Sequence, residues 1–137
     1  MFEVVYYSMT GNTRKVAEVI AAELGVSAED ATTKQELAKD SVVFLGSGCY
    51  FPAPGKYLKK FISSNDFNGR KVALFGTSGN GRGSEVKALE EMVTAKGAKV
   101  TGKFYCKGKF LFFINRKSPT DEELENARKF AREMKEA

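Results

Sequence analysis

Tyr7-Ser8-Met9-Thr10-Gly11-Asn12-Thr13, running directly into Arg14-Lys15-Val16-Ala17-Glu18-Val19-Ile20, is the stretch on which the fold turns. An apolar run, Phe2 to Tyr7, precedes it and a helical pattern follows, so hydroxyls and backbone N–H groups gather where a strand becomes a helix. The first turn of a helix has amides without intrahelical acceptors and carries partial positive charge, which suits an anion such as a phosphate. Ser8, Thr10 and Thr13 bring hydroxyl donors, Gly11 permits close backbone approach, and Asn12 tolerates unusual backbone angles or caps the helix. Two readings stand side by side, a well-capped helix start and a phosphate turn. Three hydroxyls in this short stretch exceed what one cap requires.

Working outward, Val16, Val19, Ile20 and Leu24 recur at helical spacing and Gly25 is a natural stop. Residues 26–39 are less patterned, with a loop carrying a short edge strand expected over Ser27–Ala31 and a brief helical turn over Thr33–Ala38. Val42-Val43-Phe44-Leu45-Gly46 is an uninterrupted apolar run, the signature of a parallel strand buried on both faces and expected at the centre of the sheet. A helical pattern follows Pro54-Gly55, then a second buried strand at Lys71–Gly76 and a glycine-rich loop at Thr77–Gly83. The next helix carries Val86, Leu89, Met92 and Val93 on one face. Lys99–Cys106 alternates as an edge strand would, with Val100, Gly102, Phe104 and Cys106 on one side. Ser118-Pro119-Thr120-Asp121-Glu122-Glu123 starts a last helix striped by Leu124, Ala127, Phe130, Ala131 and Met134.

Alternation of strands and helices calls for a parallel sheet with helices on both faces, because right-handed crossovers place them there. The expectation is a doubly wound five-stranded α/β domain, order 2-1-3-4-5, over residues 1–137. Loops 8–13, 46–55 and 76–83 each follow a strand and should meet at the carboxyl edge, beside the switch point between the first and third strands.

Composition narrows the chemistry. The chain has 137 residues, 42% of them hydrophobic, which suffices for one packed domain. It contains no histidine, which excludes Ser-His-Asp triads, Cys-His dyads and histidine metal sites together. Two cysteines, Cys49 and Cys106, make neither a disulfide framework nor a thiolate metal site. No apolar run reaches the roughly 20 residues that span a bilayer, the longest being Phe110–Ile114, and no leader pattern opens the chain, so a cytoplasmic protein is expected. A net charge of +5 suits acidic partners.

Ser8-x-Thr10-Gly11-Asn12-Thr13 after the first strand resembles the phosphate loop of the flavodoxin family. That resemblance implies a flavodoxin-like fold holding FMN without a covalent bond, with Ser8, Met9, Thr10, Gly11, Asn12 and Thr13 around the phosphate. Gly46-Ser47-Gly48-Cys49-Tyr50-Phe51-Pro52-Ala53-Pro54-Gly55 resembles the family's loop beside the isoalloxazine ring. Ser47, Gly48 and Cys49 would line it, and Tyr50, with Phe51 as second choice, would stack on the ring; a plug of the core end is the alternative for either aromatic. Gly48 and Gly55 are both candidates for a peptide that responds to flavin reduction. Gly76-Thr77-Ser78-Gly79-Asn80-Gly81-Arg82-Gly83 resembles the loop that cradles the pyrimidine edge, which implies Gly76, Thr77, Ser78, Gly79, Asn80 and Gly81 as contacts, where backbone groups recognise two carbonyls and an N–H.

The resemblance implies an electron carrier between redox proteins, and it is preferred to a small FMN-dependent reductase acting on a quinone or similar acceptor. The short chain shows no insertion to shape a nicotinamide or substrate pocket. A flavin-free basic module is the third class, because Lys103–Phe110 interleaves lysines with aromatics; amphipathic strand alternation explains that pattern better, so nucleic acid is disfavoured. Acidic redox partners are expected, with no metal and as a monomer or weak dimer. Receiver domains fit poorly, since Tyr7-Ser8 stands where acids are needed, and neither cysteine starts a C-x5-R phosphatase loop. Unlike many acidic flavodoxins, this chain places Lys56, Lys59, Lys60 and Arg82 near the ring loops. One lysine about 10 Å from a reduced ring would stabilise its charge by about 0.4 kcal/mol at water-like dielectric and about 1.7 at an effective 20, so a less strongly reducing flavin is expected.

Overall fold

The computed structural model describes residues 1–9, 11–34, 36–48, 56–78, 82–107 and 119–137. Its elements in chain order are β1 (Phe2–Tyr7), α1 (Asn12–Leu24), β2 (Ala28–Asp30), β3 (Val42–Gly48), α2 (Lys56–Ser64), β4 (Lys71–Ser78), α3 (Ser84–Ala95), β5 (Lys99–Lys107) and α4 (Asp121–Lys135). The five strands are all parallel in the order β2-β1-β3-β4-β5. The expected topology and the central place of the Val42 strand are both found.

Each face of the sheet supports its own core. On one side Val4, Phe44, Ala73 and Phe75 pack against Val16, Ala17 and Ile20 of α1 and Ala127, Phe130 and Ala131 of α4. On the other, Val5, Val43, Leu45, Val72 and Leu74 meet Leu58, Phe61 and Ile62 of α2 and Val86, Leu89 and Val93 of α3. Strand side chains alternate between faces, which is why one apolar run such as Val42–Leu45 feeds both cores. The α4 start is a complete capping box: Glu123 N–H donates to Thr120 Oγ1 at 3.1 Å and Thr120 N–H to Glu123 Oε1 at 2.8 Å.

Two sequence expectations need correction. Val72 pairs Val100 but Ala73 pairs Gly102, so Thr101 is an extra residue in β5 and the register shifts there. Val100 therefore packs with the α2/α3 core, while Phe104 and Cys106 pack on the α1/α4 side, and the single face drawn from strict alternation is broken. In the β2–β3 connection, residues 31–33 form a turn, and no helix is present there among the described residues. Asp30 takes over the ordering, its carboxylate accepting from Thr32 N–H at 2.8 Å and from the Thr32 hydroxyl at 2.7 Å.

Glu3 anchors the amino end of the sheet. It is 7% exposed and accepts from Ala38 N–H at 3.0 Å, from the Ser41 hydroxyl, and from Lys34 Nζ at 2.9 Å. Burial pushes its carboxyl up, but these hydrogen bonds and the Lys34 charge outweigh burial and hold it below the usual range. Among the described residues no helix is long and apolar enough to cross a membrane, and no cluster of acids or cysteines could hold a metal ion.

Candidate functional site

The carboxyl ends of β1, β3 and β4 converge. Tyr7 pairs Ser47, Ser47 pairs Gly76, and Gly76 pairs Tyr105, giving one row across the sheet at the edge where the turns begin. The next row brings Gly48, Thr77 and Cys106 together.

The β1–α1 turn is built around Gly11, the N-cap, with φ 89°. That left-handed conformation suits glycine, and a Cβ built there would meet nothing within 4 Å, so the turn presents open backbone. Gly11 N–H donates to Ser8 Oγ at 3.0 Å, which bends the chain into the helix. The first helical bond runs from Lys15 N–H to the Gly11 carbonyl at 3.1 Å, so the preceding amides point off the helix end. No acid lies in the first turn of α1.

Thr13 turns away from that opening. Its side chain is fully buried and its Oγ1 hydrogen-bonds Thr77 Oγ1 at 2.8 Å, joining the phosphate-like turn to the end of β4. The Ser47 hydroxyl is likewise buried and donates to the Gly48 carbonyl at 2.7 Å. Both hydroxyls are thus engaged in bonds within the protein. Met9 lies 68% exposed at the rim, and the Tyr7 ring sits 5.4 Å from the Tyr57 ring of α2, with Lys56 Nζ 5.4 Å above Tyr57.

The β4–α3 turn repeats the glycine cap with different chemistry. Gly83, φ 77°, caps α3, and Tyr105 packs so closely that a Cβ on Gly83 would lie 2.7 Å from its ring. Gly76 is equally tight: a Cβ there would lie 2.4 Å from Glu85 Oε1 and 2.8 Å from Val86 Cγ2. Glu85 thus fills the place of a Gly76 side chain. Cys106, on the other face of the sheet, has its thiol pushed up to about 12 by burial and by Glu123 and Glu85.

Of the residues singled out in the sequence, Ser8, Met9, Gly11, Asn12, Thr13, Ser47, Gly48, Gly76, Thr77 and Ser78 are brought to this edge. Thr10, Cys49, Tyr50, Phe51, Gly79, Asn80 and Gly81, together with Gly55 and the Phe110–Ile114 run, lie outside the described residues. Sequence reasoning missed the Tyr7–Tyr57 pair, the Thr13–Thr77 link and Glu85. An acid at the second position of a helix is an ordinary dipole partner, so nothing in the sequence set Glu85 apart.

A doubly wound sheet with an open helix N-terminus at its switch point has the geometry that suits a nucleotide-type phosphate. Comparison with known proteins makes the class specific, because residues 3–137 match the flavodoxin domain family. The chain is 33% identical over 109 residues to a flavodoxin of Clostridium beijerinckii, covering 72% of this chain and 79% of that one. It is 31% identical over 117 residues to a flavodoxin of Megasphaera elsdenii, covering 74% and 82%. The solved structure of a flavodoxin from the domain Archaea superposes with a TM-score of 0.71 at 20% identity, covering 98% of this chain and 96% of that one. The chain belongs to the flavodoxin family, and that membership implies FMN as its cofactor. The open glycine backbone, the Ser8 hydroxyl and the acid-free first turn of α1 suit the phosphate of that group.

Proposed function

We propose that this protein is an FMN-binding electron carrier, folded as one domain, that shuttles electrons between redox proteins. The observation that carries the reading is the β1–α1 turn, an open left-handed glycine at an acid-free helix start beside the sheet's switch point, in a chain of the flavodoxin family. Bound FMN supplies the redox chemistry. The protein's part is to bind and orient it: Ser8, Met9, Thr10, Gly11, Asn12 and Thr13 at the phosphate, with the Thr13 hydroxyl held by its hydrogen bond to Thr77 Oγ1. Ser47, Gly48, Cys49, Tyr50 and Phe51 border the ring, and Gly76 to Gly81 meet its pyrimidine edge.

The partner class follows from charge. Lys56, Lys59 and Lys60 are exposed on α2, which carries no acid in its first turn, so the side chains bordering the ring favour acidic protein surfaces. The test is electron delivery from the reduced, FMN-loaded protein to an acidic and to a basic one-electron acceptor protein. Faster delivery to the acidic acceptor, slowed by salt, is expected. NAD(P)H-driven reduction of a quinone by the purified protein alone would instead make it a reductase.

A further inference from the structure

The amino edge of the sheet holds a second opening, at the other end of the strands from the turns described above. A cleft of about 580 Å³ lies between the connection that enters β3 and the connection that enters β4, and Lys39, Asp40, Ser41, Asp66, Arg70 and Lys71 are among the residues lining it. β3 runs seven residues from Val42 to Gly48, so about 20 Å of strand separates this cleft from the carboxyl edge. Its volume falls within the range of small-molecule sites, roughly 300–1,000 Å³.

Arg70 is the fixed point of the cleft. Half-buried, it donates from Nε to the Asp66 carbonyl at 2.9 Å and from Nη1 to the Ser41 carbonyl and the Ser41 hydroxyl, both at 2.8 Å. Its guanidinium also lies 5.8 Å from the centre of the Phe67 ring. These bonds clip the two connections together and hold the guanidinium plane in place. The clip engages Nε and Nη1 alone, so the two Nη2 hydrogens have no acceptor among the described residues.

The neighbouring charges are unpaired as well. Lys39, Asp40, Asp66, Arg70 and Lys71 share one cleft, yet no ion pair joins any two of them among the described residues. The Asp66 carboxylate accepts from Asn68 N–H at 2.9 Å, and Lys71 Nζ meets the Ala137 oxygen at 3.3 Å. Asp40 is exposed and holds a left-handed backbone, φ 61°, the one non-glycine residue among those described to do so. That conformation is less favourable for a residue with a side chain than for glycine, and it is kept at the rim of the cleft.

We propose that the cleft binds a small hydroxylated oxyanion, a hydroxy acid or a polyol phosphate, whose anionic oxygens take the Nη2 hydrogens of Arg70 and the charge of Lys39 and whose hydroxyl donates to Asp40. A guanidinium already held in place supplies charge-assisted bonds with little further ordering. The two acids repel a bare anion and favour one that brings its own donor. The site involves no residue of the carboxyl edge and stands or falls apart from the FMN reading.

The test is an amide NMR titration of the full chain, saturated with FMN so that the β1–α1 turn is closed to phosphate, with glycerol phosphate, glycerate and glycerol as probes. The first two carry a phosphate or a carboxylate beside hydroxyls, and glycerol carries hydroxyls alone. We expect saturable shifts at residues 38–42 and 65–71 from at least one of the two anions below about 10 mM, and none from glycerol. Whichever anion shifts them identifies phosphate or carboxylate as the group recognised. Lys39→Glu changes an exposed side chain outside the clip and should weaken that anion about tenfold while moving the melting temperature by less than about 2 °C. Asp40→Gly keeps the left-handed backbone and removes the acid, so it should narrow the preference for the hydroxylated anion over inorganic phosphate or acetate. No shift at either stretch up to about 10 mM, shifts that glycerol reproduces, or a Lys39→Glu variant that binds like wild type would overturn the proposal. If FMN does not load, shifts confined to residues 8–13 would overturn it too, and shifts at 38–42 and 65–71 would uphold it without the FMN reading.

Discussion

The β1–α1 and β4–α3 turns are built alike and do opposite work. Each ends a parallel strand, each passes through a left-handed glycine N-cap without a side-chain cap, and each closes its first helical bond back to that glycine, Lys15 to Gly11 and Lys87 to Gly83. They differ in charge and space. α1 begins with Asn12, Thr13 and the cations Arg14 and Lys15 around open backbone, whereas α3 begins with a buried acid packed against Gly76. A shared backbone device thus leaves an open, acid-free helix start in one place and a helix start packed around a buried carboxyl in the other.

The comparison breaks most directly if an acid is moved into the first turn. Asn12→Asp is nearly isosteric and puts one negative charge by the proposed phosphate. A dianion about 5 Å from it is repelled by about 1.7 kcal/mol even at water-like dielectric, so FMN affinity should fall more than tenfold while riboflavin affinity hardly changes. Titrations with both flavins check this. Equal losses for the two would place the phosphate elsewhere.

Space sharpens the other turn. Gly76→Ala drives a Cβ into Glu85 and should cost about 1–3 kcal/mol, read in thermal or denaturant unfolding. In a Glu85→Ala background only the contact with Val86 Cγ2, at 2.8 Å, remains, so the same change should cost less. An undiminished penalty there would mean that something other than the carboxyl requires glycine.

The strut between the turns comes next. Thr13→Val or Thr77→Val alone leaves a buried hydroxyl without its partner, and the double variant should recover about 1 kcal/mol of the summed loss. Additive losses in a double-mutant cycle would deny the coupling.

The smallest effect is the pH dependence of stability without cofactor. Glu85 has a raised folded value, so the folded state binds more protons than the unfolded one, and its contribution, full below the ordinary carboxylate range, is lost as pH rises through the folded value. Glu3 has a lowered folded value, and its contribution, full above the ordinary range, is lost as pH falls through the folded value. Glu85→Gln should therefore melt about 3 °C or more above wild type near pH 8 and show no such gain near pH 4. The reverse ordering would mean that Glu85 is paired in solution.

What the sequence disclosed follows from how local the physics is. Apolar runs such as Val42–Leu45, the helical stripe Val16–Leu24 and the Thr120–Glu123 box are read from neighbours in the chain, and they determine topology. The Thr101 bulge was hidden because a one-residue register shift depends on the partner strand. The turn at Gly11 was legible because its glycine and hydroxyls are contiguous. The bond of the Thr13 hydroxyl to Thr77, 64 residues away, and the packing of Glu85 against Gly76 are not legible from chain neighbours. Both are tertiary facts with no local signature.

The most direct measurement is the ratio of FMN to riboflavin affinity of the purified protein, with the absorption spectrum recording stoichiometry. The account predicts one tightly held, fluorescence-quenched FMN and riboflavin bound at least tenfold more weakly, since only FMN offers a phosphate to the α1 turn. Equal affinities, or no FMN binding, would contradict it.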